Sequence, residues 1–420
     1  MQQDHIQPDL LFIGAETGVY VTVNRGEDWH KLAGAPTIAF RDIKIQRRDS
    51  DLVCASFGRG FYVLDDYSPL REMGGDGWNQ AGGLMPVRDA WWYVPQTPSQ
   101  SVGMPTMGVT SYKTPNPEFG ATLNVWLQKD AQTAKEARNA AEKKGRASGE
   151  NADFPGWETL RDEINESDPV LMVVIKDENG TPVRRLSHPA KAGMHRIAWD
   201  LRLEPPDPIR LKKPDFNYPW ESAPMGALVP PGSYSAELML VADGKVKTLG
   251  DPQCFAVKVV PTTVEGTDFG NVAAFQKEVS DLMIGLSGVS REIARAHDRL
   301  KHVRMAILAT PAADMKGLKR IDKMAAELRS ISAEVSQDEA RAKLDEPAAT
   351  PLMERMWLMV YGSWRTRQEP TATMRRSLEV ADAKFADIKK RLTKVIDKDL
   401  AKLEKDVSAA GGPWTPGRKL

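Results

Sequence analysis

The chain has 420 residues, 41% of them hydrophobic and 27% charged, with 57 basic and 57 acidic side chains. That length exceeds one ordinary hydrophobic core and sets an expectation of roughly two to four domains. No stretch approaches the roughly 18 uninterrupted apolar residues of a membrane span, and the basic residues are interleaved with acids rather than clustered with aromatics, so neither membrane insertion nor nucleic-acid binding is expected.

The charge balance is not local. From residue 270 onward there are 28 basic and 21 acidic residues, so the C-terminal part is basic and the remainder acidic. Interleaved charge of this kind is the ordinary pattern of solvated helix faces. Cys54 and Cys254 are the only cysteines and stand far apart in predicted strands. They read as buried thiols and support neither a disulfide framework nor a metal site. The N-terminal stretch lacks the charged and apolar pattern of a signal peptide and runs almost at once into a strand.

Residues 9 to 66 read as short strands, LLFIGAE, GVYVTVN, FRDIKIQ, LVCASF and GFYVLDD, separated by Gly, Asn, Asp and Arg turns. The run Thr22-Val23-Asn24-Arg25-Gly26-Glu27-Asp28-Trp29 within them resembles the Asp-box, or BNR repeat, S/T-x-D-x-G-x-x-W. Thr22, Asn24, Gly26 and Trp29 take its key positions. Such a motif is a hairpin turn: the Asp-position side chain bonds loop backbone, the glycine supplies a positive φ, and the indole packs under the turn. Asn24 stands where Asp is usual and keeps an acceptor oxygen. The box marks a fold rather than a catalytic site.

A second run, Phe57-Gly58-Arg59-Gly60-Phe61-Tyr62-Val63-Leu64-Asp65-Asp66, follows Arg41-Asp42-Ile43 and Asp51-Leu52-Val53 and continues into Ser68-Pro69-Leu70-Arg71. Together these elements resemble the closing segment of large BNR-repeat β-propeller proteins of the sortilin-type, glycosyl-hydrolase-like family, with Gly58, Arg59, Gly60, Asp65 and Asp66 as the propeller-closing residues. Phe57 stands where that pattern commonly has His. The resemblance implies an extracytoplasmic, periplasmic or secreted protein of several domains, of which this chain is the C-terminal part. Residues 1–70 make about one and a half blades, which cannot close a ring, because each blade leaves an edge and an apolar face for its neighbours to cover. The expected partners are therefore upstream propeller blades, on the same polypeptide if Met1 begins a fragment or on a separate chain.

Residues 71–120 are rich in Pro, Gly, Ser and Thr and read as a linker, with Gly74-Gly75-Asp76-Gly77 as a spacer. Within it, Ala90-Trp91-Trp92-Tyr93-Val94 reads as interdomain packing, with a sugar-stacking platform as the alternative. Residues 121–262 alternate apolar and polar with hairpin turns at Asp177-Glu178-Asn179-Gly180 and Ala242-Asp243-Gly244-Lys245, the pattern of an Ig-like or fibronectin-like sandwich. The run Pro230-Pro231-Gly232-Ser233-Tyr234-Ser235-Ala236 resembles an edge common to the Ig-like domains that follow this propeller, and residues 131–166 read as a polar helical insertion.

From 268 to 410 the period becomes helical. Leu282, Leu286, Val289, Ile293, Ala296, Leu300, Val303 and Ile307 step alternately by four and three, a heptad seam. Leu378, Ala381, Phe385, Ile388, Leu392, Val395, Leu400 and Leu403 form a second seam, imperfect near Asp399. Shorter helices are expected through Leu318–Val335 and from Pro351 through Trp364, and the whole reads as an antiparallel helical hairpin or bundle.

Catalytic patterns are missing. Glu16, Asp65 and Asp66 are acids near the propeller signature, and adjacent acids on a strand point to opposite faces, so Asp65 and Asp66 do not make a glycosidase pair. His297 and His302 are five apart and miss the i, i+4 spacing of a zinc helix, while His188 and His195 flank a hairpin and read as solvated. No phosphate loop or nucleophile elbow is present. The sequence thus predicts no catalytic, cofactor or metal residues, and a non-catalytic scaffold or a surface for protein or glycan. The alternative is the accessory part of a glycoside hydrolase whose active site lies on upstream blades.

Overall fold

A computed structural model describes residues 1–74, 81–95, 114, 116–212, 215, 223–261 and 266–418. It shows a mixed α and β chain of several antiparallel sheets, one curled as a half-barrel, with a C-terminal helical region. Two compact units result: Met1–Tyr93, Thr106–Leu201 and Pro231–Val260 form one, and Val94–Pro105, Arg202–Pro230 and Pro261–Leu420 the other. The stretch Arg202–Pro230, inside the boundaries expected for the β-rich domain, thus groups with the helices. Gly75, Asp76 and Gly77 of the expected spacer lie outside the described residues, as do residues 96–113.

The first unit begins with an antiparallel meander of β1 (Gln2–Gln3), β2 (Leu11–Ala15), β3 (Gly18–Thr22) and β4 (His30–Lys31). A three-stranded meander of β5 (Phe40–Gln46), β6 (Asp51–Ser56) and β7 (Phe61–Leu64) follows. Alternation puts Phe12, Val19 and Val21 of one sheet and Phe40, Ile43, Leu52 and Cys54 of the other into a shared core with Leu10 and Tyr67. Tyr62 and Leu64, opposite Cys54 and Leu52, share the inner face, so Phe61 and Val63 point the other way. That outer face is open, with Phe61 76% exposed. Each sheet covers the inner side of the other, and Phe61 and Val63 stand exposed on the outer face of β7.

The two ends of this stretch are joined by a buried charge. Asp4, whose side chain has no exposure, accepts two hydrogen bonds from Arg71 (Nε and Nη2, both 2.9 Å), one from Tyr67 Oη (2.6 Å) and two from the backbone N–H groups of Ile6 and Gln7 (3.1 and 2.7 Å). Arg71 also donates to Ser50 Oγ at 3.0 Å, and it projects from the 3₁₀ turn Ser68–Gly74. Burial alone would raise the Asp4 pKa, but the bonds from Arg71, Tyr67 and the two amides outweigh it and hold the carboxyl well below the usual range.

Two further sheets complete the unit. In one, β8 (Gly82–Leu84) and β13 (Gly193–Trp199) flank β10 (Ala121–Leu127). The other runs β12 (Pro182–Pro189), β11 (Val170–Lys176), β14 (Gly232–Ala242), β16 (Gln253–Val259) and β9 (Ala90–Trp92), with β15 (Lys245–Thr248) on the far end of β14. Strands β8 and β9 come from the stretch read as linker; a three-residue strand carries too little alternation to stand out among Gly and Pro. Trp199 on the first sheet meets Tyr234 and Phe255 on the second edge-to-face, at 5.4 and 6.1 Å. Between β10 and β11 the insertion forms α1 (Ala134–Ala147), started by a capping box of Thr133 and Glu136, and α2 (Trp157–Asn165). Arg138 clamps Glu163 across them with two bonds of 2.7 and 2.8 Å.

The helical unit contains α3 (Phe269–Ala309), α4 (Lys316–Val335), the short α5 (Glu339–Ala342), α6 (Leu352–Trp364), α7 (Ala372–Thr393), a π-helical segment (Lys394–Leu400) and α8 (Ala401–Ala409). Every residue of the first seam is buried, as are those of the second apart from Phe385, which is partly buried against the same core. Trp357 is exposed while Val360 and Trp364 are buried. The seams do not pair as an antiparallel hairpin. Arg375 bonds Asn271 (2.5 Å), Phe385 lies against Gly285, and Arg299 bonds Glu404 (3.0 and 2.8 Å), so α3 and α7 to α8 run in the same direction. The antiparallel neighbour of both is α4, through Arg304 with Asp322, Arg391 with Glu327 (2.7 Å) and Arg320 with Asp406 (2.6 Å). A seam records which face is apolar and not which way the partner runs, so the expected antiparallel pairing of these two seams is not the one observed.

The imperfection near Asp399 has a structural counterpart. Val395 and Leu400 are both buried although five residues apart, and the π segment between them absorbs the surplus residue, keeping both on the core side.

Two outcomes are expected. Asp4→Ala strands Arg71 and costs about 3–5 kcal/mol; since the folded carboxyl titrates below its unfolded value of about 4, its contribution is full above that value and lost as the pH falls through the folded one. Urea unfolding between about pH 7 and pH 3, followed by circular dichroism, checks both, with Asp4→Asn flattening the acid limb. Deleting Asp397 restores a three–four spacing and leaves the melting temperature unchanged or raised, whereas deleting Lys384 breaks the register and lowers it.

Candidate functional site

The residues expected to form an Asp-box lie in the β3 to β4 turn. Thr22 Oγ1 donates to Asn24 Oδ1 (2.8 Å) and accepts from the N–H groups of Gly26 (3.0 Å) and Asn24 (3.3 Å), while Asn24 Oδ1 accepts from the Asp28 N–H (3.0 Å). Gly26 has φ +98° and a Cβ there would sit 3.5 Å from the Trp29 indole nitrogen. Asn24 Nδ2 donates to the Asp28 carboxylate at 3.2 Å, a bond that an Asp at position 24 could not make.

The closing-motif residues are divided between the two ends of β7. Gly58, Arg59 and Gly60 form the exposed β6 to β7 turn, with both glycines at φ +77°. At the other end, Asp66 is buried at φ +46° and accepts from the Ser68 hydroxyl (2.6 Å). Its N–H donates to Asp51 (2.9 Å), and the carbonyls of Asp65 and Asp66 accept from Arg196 Nη2 on β13 at 2.9 and 3.1 Å. Burial, together with the nearby Asp51 charge, raises the Asp65 carboxyl, opposed by Arg196 and Arg88. Here these residues act as a joint between the three-stranded meander and the sheet behind it, and no signal in the sequence marked Arg196 as their partner.

Beside this joint lies an open groove of about 350 Å³. Its aromatic wall comes from β9: alternation sends Ala90 and Trp92 into the core and leaves Trp91 and Tyr93 each 45% exposed on the other face. Phe119 packs edge-to-face on Tyr93 at 4.8 Å. The polar wall comes from the β5 to β6 turn, carrying Arg48 and Asp49, and from Arg88, Asp89 and Glu118. Asp49 accepts from Arg48 (2.7 Å) and Gln46 (2.9 Å), and Arg88 donates to its backbone carbonyl. Burial would raise the Asp49 carboxyl, but Arg48 and Gln46 hold it below its ordinary value. Asp89 is held low first by the ion pair with Lys258, against burial, and then by the Ala256 N–H at 2.8 Å. Of the aromatics in the run read as interdomain packing, Trp92 alone is buried. The repeated Arg-Asp pairs at 48–49 and 88–89 were legible signals for the rest, although nothing in the sequence joined them.

Elsewhere, Cys54 is buried and its thiol is pushed up to about 11 by burial, while Cys254 is exposed, against expectation. His297 is lowered by burial and by the charges of Arg329 and Lys301. His188 and His195 are not fully solvated but half-buried, with ring centroids 4.6 Å apart. Among the described residues no three or more His, Cys, Asp or Glu side chains gather as a metal site. No helix among them is long and apolar enough to cross a membrane.

No protein-family model matches the chain, and no curated protein matches it in sequence.

Asn24→Asp is expected to destabilise the chain by about 0.5–1 kcal/mol, by placing a second carboxylate against Asp28 and removing a hydrogen bond. Adding Asp28→Asn should restore the loss, read as coincident thermal melts of the double variant and the native chain.

Proposed function

We propose that this chain is a non-catalytic recognition and scaffold region of a BNR-repeat propeller protein and that the groove at Trp91 and Tyr93 takes glycan. The observation that carries the reading is the exposed aromatic pair on one face of β9, opposite fixed carboxylates and guanidinium groups. Aromatic faces stack on sugar C–H surfaces, and ionised carboxylates and arginines bond hydroxyls from the side. A glycosidase also needs a carboxylic acid kept protonated to donate to the leaving oxygen. Asp49 and Asp89 are instead both held ionised by cations, which favours binding over hydrolysis.

The propeller part of the reading draws on the Asp-box turn, the joint at Asp65 and Asp66, and two antiparallel meanders packed face to face. Repeating that packing would place a neighbouring blade on the outer face with Phe61 and Val63, which makes further propeller blades the proposed partner and an extracytoplasmic setting the proposed location. We read the two sheets that meet at Trp199, Tyr234 and Phe255 as an Ig-like sandwich. The second reading is the accessory part of a glycoside hydrolase whose active site lies on upstream blades, favoured by a groove whose Asp49 and Asp89 are held ionised and so supply no proton donor of their own.

The test is a screen of neutral and charged oligosaccharides against the full chain, with hits measured by calorimetry. Trp91→Ala is expected to weaken binding by about tenfold, equivalent to ~1.4 kcal/mol, while Trp29→Ala leaves it unchanged. Binding indifferent to both Trp91→Ala and Tyr93→Ala would remove the groove from the reading, and hydrolysis of a bound oligosaccharide by this chain itself would overturn the non-catalytic one.

A further inference from the structure

Away from the groove, the chain turns a corner between two sheets. His188 lies near the end of β12, at the edge of the six-stranded sheet, and His195 lies on β13, at the edge of the three-stranded one. Ala190, Lys191 and Ala192 connect the strands, so the two half-buried rings meet across the corner, with centroids 4.6 Å apart and planes tilted by 44°.

Each ring has one nitrogen on a backbone carbonyl. His188 Nδ1 is 3.0 Å from the Pro189 oxygen, and His195 Nε2 is 2.7 Å from the Lys191 oxygen. A carbonyl oxygen only accepts, so in each neutral ring that nitrogen carries the hydrogen. The lone pairs are then left on His188 Nε2 and His195 Nδ1. This is how metal-binding imidazoles are held: one nitrogen donates to a carbonyl, which sets the tautomer and the ring plane, and the other is left to ligate.

The geometry points to a divalent transition-metal site formed by His188 Nε2 and His195 Nδ1. An ion about 2.0–2.1 Å from each nitrogen, with an angle at the metal between a right angle and the tetrahedral one, places the two ring centroids roughly 4.5–5 Å apart. The observed separation falls in that range. Two imidazoles suit Cu²⁺, Ni²⁺ or Zn²⁺, with Cu²⁺ the tightest. Two protein ligands leave the remaining positions to water, so the ion exchanges readily. Because the ligands stand on different sheets, a bound ion ties the two sheet edges together and stabilises the folded state in proportion to its occupancy.

The test uses the full chain and two probes. Titration with Cu²⁺ should show a single tight ion with a two-nitrogen signature in electron paramagnetic resonance, accompanied by a rise in melting temperature. His188→Ala and His195→Ala should each weaken it by about tenfold or more, since loss even of an outer partner of a metal ligand costs roughly 10–100-fold. His302→Ala should change nothing. A measurement independent of any variant is Zn²⁺ titration followed by nuclear magnetic resonance of the imidazoles: the His188 and His195 rings should move together and those of His5, His30, His297 and His302 should not. Copper binding that survives His188→Ala/His195→Ala, or zinc that leaves these two rings unmoved, would overturn the assignment.

Discussion

The buried carboxylate of Asp4 is the constraint on which the first unit depends. A charge with no exposure is tolerated only when its acceptor positions are filled, and here they are filled from residues at both ends of a seventy-residue stretch. Tyr67 is thereby drawn into the core against Phe12, at 4.9 Å, and Arg71 reaches on to Ser50 in the β5 to β6 turn. In turn the Ser50 carbonyl accepts from the Tyr67 N–H at 2.8 Å and the Asp51 carboxylate from the Asp66 N–H at 2.9 Å. One desolvated charge thus positions the turn that carries Arg48 and Asp49, and with it the polar wall of the groove.

The groove is assembled from segments that have little in common locally. Trp91 and Tyr93 are exposed because a strand must turn alternate residues outward and Trp92 fills the core. Arg48, Asp49, Arg88 and Asp89 are opposite them because Arg196 and Arg88 tie the end of the β5 to β7 sheet to the sheets behind it. Polar groups fixed this firmly present acceptors and donors in set directions and lose little entropy on meeting a ligand. The same fixation keeps the carboxylates of Asp49 and Asp89 ionised.

In the helical unit, packing and sequence periodicity agree closely. A heptad seam needs its apolar residues on one stripe, and the five-residue step from Val395 to Leu400 would rotate everything after it off that stripe. A π segment, with its extra residue per turn, corrects the phase at the cost of poorer hydrogen-bond geometry. Arg391 meets Glu327 and Glu334 just before that segment, at 2.7 Å each, linking α7 to α4.

Most of what depends on local periodicity was legible in the amino-acid sequence: five strands of the opening meanders, the turn after Thr22, the polar insertion, both seams and the irregularity in the second. These follow from alternation and from the spacing of apolar side chains, which a short window contains. The tertiary structure alone decided that β8 and β9 join sheets, that the two seams run in the same direction with α4 between them, and that Asp4 meets Arg71. It also decided that His188 and His195 share a corner and that Trp91 faces Asp49. Each of these depends on a partner distant in sequence or on another sheet, and hydrogen bonding and burial between such partners leave no periodic trace along the chain.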